Sequence, residues 1–333
     1  MERLKPQDTA EISRNPRALK AALNKIVRIA AAKRRGSLPM INDAELTSVF
    51  SISTALGFTL WQHLAAVERL GQSPEWQAKN AKLWPALRDG KELVGLATTH
   101  LARPENPQVH AKRTRDGSFL ISGRFPWVSG FGMFNYLRVG FRIEDETVFA
   151  LVDFPAGNAK SGKNRIRIER IPLGCLEGTA TVCIEFKNWN VLESQVISRR
   201  KGPHAPGGVA SFYRYPDIGM AKAALGECER ILGSGKNGLK GSREKQGLVR
   251  RLRERLGHIE IATAKRMTDA LEFAKDECIR DSVRMLSLIS GGKSLFRDSL
   301  AFRLNQELLL LDAVFQPAAC RRRKPEKAAS GRS

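Results

Sequence analysis

The sequence predicts an α+β protein with a β-rich middle between helical segments at both ends. Apolar residues recur at three- and four-residue steps before residue 91 and again after residue 209. Between these regions they alternate with polar residues, and turn signals separate the alternating runs. No strand–helix–strand rhythm occurs, which disfavours a doubly wound nucleotide fold. The pattern therefore predicts an antiparallel barrel or sandwich in the middle, and of these we expect a barrel.

The chain before the β-region predicts two helical parts. Residues 1–40 form a basic segment whose amphipathic helix, over 16–35, ends at the Gly-Ser-Leu-Pro stretch that follows it. Its apolar face is formed by Leu19, Leu23, Ile26 and Ala30. Residues 41–90 predict a shortened helical domain. Its helical stretches run from Asn42 or Asp43 through Leu56, around 61–70 and over 74–87.

Residues 91–200 carry the alternating pattern and form the predicted β-barrel domain. Its expected strands include Ser118–Ser122, Leu137–Ile143, Val148–Val152, Ile166–Ile168 and Val182–Phe186. A Pro- and Gly-rich link follows, and residues 209–318 predict a C-terminal bundle of amphipathic helices. The last residues, 319–333, predict a disordered basic tail.

The net charge of +22 is concentrated in three segments. Residues 1–36, 230–256 and 321–333 carry net charges of +7, +7 and +5, so they supply 19 of the 22 charges. Aromatic residues are sparse there, whereas proteins that recognise nucleic acids place aromatic or base-reading side chains beside their charge. The charge pattern therefore disfavours nucleic acid as the partner without excluding it, and it leaves open an anionic ligand or solvated ends that bind nothing.

Several classes of protein are disfavoured by the sequence. No apolar run approaches the roughly 20 residues of a membrane span, and no apolar signal core is found near the N-terminus, so we expect a cytoplasmic protein without membrane partners. The five cysteines form no C-x-x-C pair and the five histidines lack ligand spacing, so we expect no metal site. The glycine-rich stretches at 233–236 and 292–294 lack the full pattern of a phosphate-binding loop.

An ordered set of motifs runs through the middle and C-terminal regions. The motifs are Leu96–His100, Asp116–Arg124, Phe125–Gly130, Leu173–Thr179, Gly219–Leu225, Gly291-Gly292 and Arg303-Leu304-x-x-Glu307. Taken together they resemble the acyl-CoA dehydrogenase family, over about 45–316. The resemblance is specific in the middle domain, where a Thr-Glu-Pro strand end, an Asp-Gly turn and a Trp-Ile-Thr run are typical of the family.

The resemblance implies a flavoprotein. We expect FAD as the cofactor, with FMN as the less favoured alternative, a homodimer or homotetramer, and a small-molecule substrate such as an acyl thioester. An isoalloxazine ring needs a flat apolar wall and polar groups at its edges. The resemblance places Trp127 against the ring, Val128 and Ser129 beside its reactive edge, and Thr99 near its pyrimidine end. The full set of implied cofactor-binding residues is Leu96, Thr98, Thr99, Trp127, Val128, Ser129 and Gly292.

The sequence departs from the family where a catalytic base is expected. Dehydrogenation needs a carboxylate to accept the α-proton while hydride leaves for flavin. The family has Glu-Gly-Thr near the end of its last helix, but the segment here contains Phe315 and Gln316, and neither is a carboxylate. Glu307 falls on an element that we expect to be structural. We therefore assign no catalytic residue.

Three functions are consistent with these residues. The first is an acyl-CoA dehydrogenase-like flavin-dependent oxidoreductase, acting on CH–CH groups, without the usual glutamate. The second is a monooxygenase of the same fold that uses reduced flavin, since such relatives also lack the glutamate and the Trp-Val-Ser-Gly run suits them. The third is a non-catalytic binding or assembly protein derived from the family.

Overall fold

A computed structural model describes residues 6–33, 41–102, 109–202, 215–234, 242–265 and 269–314. These residues belong to two compact units. One unit comprises the described parts of Met1–Glu11, Asp43–Gly57 and Gly208–Ser333, and the other those of Ile12–Asn42 and Phe58–Gly207. Helices of the 41–90 segment therefore contribute to both units.

The helices before the sheet are α1 (Pro6–Arg14), α2 (Pro16–Lys33), α3 (Asp43–Ile52), α4 (Thr54–Gly71), α5 (Pro74–Lys79) and α6 (Leu83–Arg88). Those after it are α7 (Tyr215–Gly233), α8 (Ser242–Lys265), α9 (Asp269–Ser290) and α10 (Leu300–Val314). Helix α2 is amphipathic as expected, but Val27 rather than Ile26 completes its fully buried face. No helix in the described ranges is long and apolar enough to cross a membrane.

The first unit is helical, and a cluster of buried apolar residues lies between its last four helices. The helices α7 to α10 each contribute buried residues to it, among them Leu225, Leu256, Leu286 and Leu304. Helix α3 packs on α7. A Cβ atom at Gly219 would lie 2.5 Å from the Cβ atom of Phe50, so the glycine permits the close approach of these two helices.

The second unit is built on a nine-stranded sheet. Its strands are β1 (Val94–Ala97), β2 (Val109–Arg113), β3 (Phe119–Val128), β4 (Tyr136–Ile143), β5 (Glu146–Asp153), β6 (Ala159–Ser161), β7 (Asn164–Arg170), β8 (Val182–Val191) and β9 (Val196–Lys201). They lie in the order β6-β7-β8-β3-β2-β4-β5-β9, and β1 pairs with β4. Most pairs are antiparallel, but β4 runs parallel to both β1 and β2.

The sheet is open, so the predicted closed barrel is wrong. The two strands at the ends of the sheet, β6 and β9, are not paired with each other. Strand β6 has only three residues, all exposed, and the exposed part of β9 carries Arg199, Arg200 and Lys201. Short and basic edge strands resist further pairing. Period-two alternation identifies strands, but it does not report whether the first and last strands meet.

Helices α4, α5 and α6 cover part of one face of this sheet. Ala66, Val67 and Leu70 of α4 pack with Val94 of β1 and Leu151 of β5 in a buried apolar cluster. His63, which is fully buried in the same helix, accepts a hydrogen bond at Nδ1 from the Val94 N–H at 3.3 Å. The helices thus fix the first residues of β1, the strand that leads to Thr98 and Thr99.

Candidate functional site

Trp127 lies on a β-bulge near the end of β3. Between the paired residues Phe125 and Val128, β3 has two residues, Pro126 and Trp127, where β8 has only Cys183. An extra residue bends a strand and redirects its side chains, and a proline is tolerated at such a point. Phe125 and Val128 are buried, whereas 48% of the Trp127 side chain is exposed. Trp127 is therefore not a core residue of the sheet.

Ser129, which follows the bulge, begins a chain of buried hydroxyl groups. Its Oγ atom lies 2.8 Å from Oγ1 of Thr181, which lies 2.8 Å from Oγ1 of Thr179. Thr179 donates its own hydroxyl proton to the carbonyl oxygen of Leu176, at 2.8 Å. Because a hydroxyl group has one proton, Thr181 must donate to Thr179, and Ser129 must donate to Thr181. The oxygen of Ser129 is then left with acceptor capacity only.

The loop before β8 holds this chain through its backbone. Leu176 and Ala180 have positive φ angles of 57° and 45°, which non-glycine residues rarely adopt. A Cβ atom at Gly178 would lie 2.6 Å from the carbonyl oxygen of Ile12, so the motif glycine allows α1 to approach the loop. The Gly130 N–H donates to the carbonyl oxygen of Thr179 at 2.7 Å. Two motifs that are about 50 residues apart in sequence are thereby joined.

Thr98 and Thr99 lie at the end of β1. Leu96 is half-buried within that strand, and its N–H donates to Oε1 of Gln62 at 3.4 Å. Thr98 is half-buried, and Thr99 is exposed at the start of a 3₁₀ turn, Thr99–Ala102. The Thr99 hydroxyl is accessible to a ligand.

His100, at the position where the motif that the sequence resembles has a glutamate, connects this turn to the sheet. Its Nε2 atom lies 2.9 Å from the carbonyl oxygen of Gly140 on β4. Its ring lies 5.1 Å from that of Phe125 on β3, centroid to centroid. Only 7% of His100 is exposed. We therefore interpret His100 as a packing residue that positions the end of β1 beside β3.

Gly292 belongs to the first unit. It lies in a 3₁₀ turn, Gly291–Leu295, between α9 and α10, and it is exposed. A Cβ atom at this position would meet nothing within 4 Å. The turn therefore has no steric requirement for glycine at 292, and its role in cofactor binding stays a prediction.

Glu307, the carboxylate of the Arg303-Leu304-x-x-Glu307 motif, is fully buried in the first unit. It accepts a hydrogen bond from Oγ1 of Thr54 at 2.7 Å, and its Oε1 atom lies 3.6 Å from Nε of Arg303. Burial raises the pKa of this carboxyl group, and Arg303 and Thr54 partly oppose that rise. A group without exposed surface cannot accept a proton from a substrate, so Glu307 is a structural residue. Phe315 and Gln316 lie outside the described residues.

Sequence reasoning assigned Ser129 but missed its two threonine partners. Thr179 closes the Leu173–Thr179 motif, and Thr181 follows it by two residues. The signal that could have identified them is a threonine doublet at alternate positions immediately before a strand. Trp127 and Ser129 place an exposed indole next to a buried acceptor oxygen on β3, and Thr99 is exposed at the end of β1. The described residues contain no cluster of side chains that could hold a metal ion.

The comparisons with known proteins give matches among solved structures. No protein-family model and no curated protein matches the sequence. A structure of the flavoprotein nitroalkane oxidase is 18% identical, with a TM-score of 0.72, and the match covers 98% of this chain and 91% of that one. KijD3 in complex with FMN and a dTDP-linked amino keto sugar is 16% identical, with a TM-score of 0.71 and coverages of 98% and 90%.

A third match comes from the family that the sequence motifs resemble. Butyryl-CoA dehydrogenase from Megasphaera elsdenii is 12% identical, with a TM-score of 0.66, and the match covers 96% of this chain and 91% of that one. The three matches therefore extend over nearly the whole of this chain and are not confined to its sheet. They confirm the resemblance that the motifs indicated, and the chain has the fold of the acyl-CoA dehydrogenases.

Proposed function

We propose that this protein is a flavin-dependent oxidoreductase that binds the isoalloxazine ring against Trp127. The observation that carries the proposal is the exposed indole on the β3 bulge, 48% of which is open to a ligand. An aromatic side chain of this size is usually buried because its apolar surface is large. A bulge that turns it outward, beside a buried polar chain, gives a flat apolar wall next to a hydrogen-bonding group.

The residues around Trp127 have separable roles in this proposal. Val128 is fully buried and anchors the bulge, Ser129 offers an acceptor oxygen, and Thr99 offers an exposed hydroxyl group. A bound flavin would supply the capacity to accept hydride or, when reduced, to pass electrons to oxygen. The chain's own residues orient the ring and keep water from the hydroxyl chain.

The direction of the hydroxyl chain favours the second candidate function, a monooxygenase that uses reduced flavin. An oxidised flavin carries an acceptor nitrogen at its reactive edge, whereas the reduced form carries an N–H donor there. Ser129 can accept from that donor without breaking its bond to Thr181. Donation to the oxidised ring would require the Ser129–Thr181 bond to be broken. We therefore propose the monooxygenase that uses reduced flavin as a candidate function equal in support to the dehydrogenase.

The identity of the flavin, the substrate and the assembly belong to the same proposal. FAD follows from the resemblance, while FMN is present in the structurally similar KijD3 complex. A small-molecule substrate, including an acyl thioester, and a homodimer or homotetramer are expected on the same grounds.

Titration with FAD and with FMN, followed by flavin fluorescence, tests the proposal. We expect binding in the micromolar range and at least about a fivefold loss of affinity in W127A, because base-like aromatic stacking contributes about 1–3 kcal/mol. F296A removes another exposed aromatic side chain, 62% exposed, in the other unit and serves as the matched control. If neither flavin binds at high micromolar concentration, or if W127A binds as the wild type does, the non-catalytic binding protein becomes the better interpretation.

A further inference from the structure

Arg138 is a buried cation on the sheet face that α4 covers. It lies in the middle of β4, opposite Leu96 of β1 on one side and Leu151 of β5 on the other. Leu151 belongs to the apolar cluster that includes residues of α4, and the half-buried Leu96 packs against that cluster. Only 8% of Arg138 is exposed. A guanidinium group is thus held in an apolar layer, where an ion without a counterion is strongly disfavoured.

The guanidinium of Arg138 is stacked rather than paired. It lies 4.1 Å from the centroid of the Phe149 ring. That ring occupies space left by Gly140, where a Cβ atom would come within 3.0 Å of Phe149 Cε1. Among the described residues no carboxylate forms an ion pair with Arg138, and its Nε atom has no hydrogen-bond acceptor. Stacking on an aromatic face leaves the N–H donors at the edge of the guanidinium plane available for an oxyanion.

A second cation lies nearby on α4. Burial and, to a smaller extent, the charge of Arg69 lower the pKa of Arg138 to about 10, so Arg138 is protonated at neutral pH. Arg69 is exposed and donates from Nη1 to Oε1 of Gln72 at 3.1 Å, which leaves its other donors available. Neither arginine forms an ion pair with a carboxylate among the described residues, so these two like charges favour an anion as their partner.

We propose that Arg138 and Arg69 bind a phosphate group, either as the free ion or on a phosphorylated small molecule, between β4 and α4. A phosphate group is favoured because it carries a charge near −2 at neutral pH, which matches two guanidinium groups, and because arginine binds it through paired hydrogen bonds. The site does not depend on flavin binding, since neither arginine belongs to the Trp127–Ser129 region.

Thermal denaturation of the full chain with inorganic phosphate tests this site. We expect 20 mM phosphate to raise the Tm of the wild type by about 2 °C or more at constant ionic strength, because a ligand that binds only the folded state stabilises it. Arg138→Met, which keeps the side-chain length without the charge, should abolish the shift. R170M makes the same change at an exposed position on β7 and should keep the shift. Glycerol phosphate in place of inorganic phosphate shows whether a phosphomonoester is also accepted.

Three outcomes would overturn the proposal. An equal shift in wild type and R138M would show that phosphate acts through the basic surface in general, and no shift in the wild type would leave Arg138 as a stacked structural cation only. If R138M does not fold, R69Q replaces it, since Arg69 is exposed. We then expect R69Q to weaken phosphate binding at least fivefold in a titration followed by phosphorus NMR, and unchanged binding in R69Q would equally reject the site.

Discussion

Ser129 donates its hydroxyl proton to Thr181 at 2.8 Å, and the direction of this bond is fixed by the carbonyl oxygen of Leu176 two hydroxyl groups away. The chain is buried, so water does not compete for its members. Breaking one of its bonds would leave a buried donor or acceptor unsatisfied, at a cost of about 1–3 kcal/mol. The orientation of Ser129 is therefore a property of the fold rather than of a single side chain.

Thr181→Val is expected to shift the preference of the site from reduced towards oxidised flavin. The valine removes the acceptor for the Ser129 proton, so Ser129 becomes free to donate. The Kd for oxidised flavin divided by the Kd for reduced flavin should therefore fall about tenfold, because the oxidised ring gains one hydrogen bond of about 1.4 kcal/mol. The midpoint potential of the bound flavin should fall by about 30 mV for a two-electron couple. A potential in T181V equal to that of the wild type would show that Ser129 does not contact the reactive edge.

The Trp127→Ala variant should separate binding from stability. Because half of the indole is exposed, its removal should change the free energy of unfolding by less than about 1 kcal/mol. Phe125, two residues earlier on the same strand, is 1% exposed, and F125A should cost about 3–5 kcal/mol. Urea denaturation of the two variants without flavin measures both values. A loss in W127A as large as that in F125A would mean that the indole stabilises the sheet.

The sequence predicted the strands of this protein, but it did not predict that their sheet is open. Alternation between Leu137 and Ile143 and between Val148 and Val152 predicted β4 and β5 because one face of each strand is buried. The parallel pairing of β1 with β4 could not be predicted in this way, since it depends on how α4 and the Leu93–Asn135 contact bring distant segments together. Which strands pair with each other therefore depends on tertiary contacts and is not contained in the local sequence pattern.

Residues of the candidate site could be predicted only where they lie within a sequence motif. Trp127 and Ser129 lie in one motif, and their assignment required no knowledge of β8. The exposure of Trp127 depends on an extra residue opposite Cys183, which no periodicity reports. The partners of Ser129 come from a loop whose backbone angles at Leu176 and Ala180 are unusual for these residue types. Arg138 was not identified because an arginine within an alternating strand is expected to face solvent.

His63 should make the protein sensitive to mild acid. Burial lowers its pKa from 6.5 to about 4. Between these two values the unfolded chain binds the proton and the folded protein does not, so the free energy of unfolding falls as the pH drops from about 7 to 4. The shift corresponds to a loss of about 3 kcal/mol. Urea titrations at a series of pH values measure this slope.

The His63→Asn variant isolates that effect. Asparagine retains an acceptor for the Val94 N–H but does not titrate, so the slope between pH 7 and 4 should decrease by most of this amount. His258 is exposed on α8, and H258N is the control that should keep the slope of the wild type. An unchanged slope in H63N would assign the acid sensitivity to other groups.

Glu307 should tolerate glutamine better than alanine. E307Q retains an acceptor for the Thr54 hydroxyl and removes a buried charge, whereas E307A leaves both Thr54 and Arg303 without this partner. We expect E307A to lose about 3–5 kcal/mol and E307Q clearly less.

Because the folded pKa of Glu307 is raised, protonation of Glu307 favours the folded state at low pH, and this contribution to stability is lost as the pH rises. The E307Q variant should abolish this pH dependence. E254Q, at an exposed position on α8, should change stability by less than about 0.5 kcal/mol. Equal losses in E307A and E307Q would show that the charge itself stabilises the fold.

Acyl-CoA substrates should bleach the bound flavin slowly or not at all. Phe315 and Gln316 occupy the segment where the family carries its glutamate, and Glu307 has no exposed surface. Without a carboxylate at the α-carbon the proton has no acceptor, and a positioned base contributes about 10²–10⁴-fold in rate.

The bleaching of the bound flavin by short-, medium- and long-chain acyl-CoAs should therefore be compared anaerobically. Q316E and F315E are the variants that restore a carboxylate, and Q316N is the matched neutral control. Faster bleaching in either carboxylate variant, with no change in Q316N, is the expected result. Rapid bleaching in the wild type would instead reveal a base on another element, whereas slow bleaching together with oxygen-dependent turnover of the reduced flavin would favour the monooxygenase.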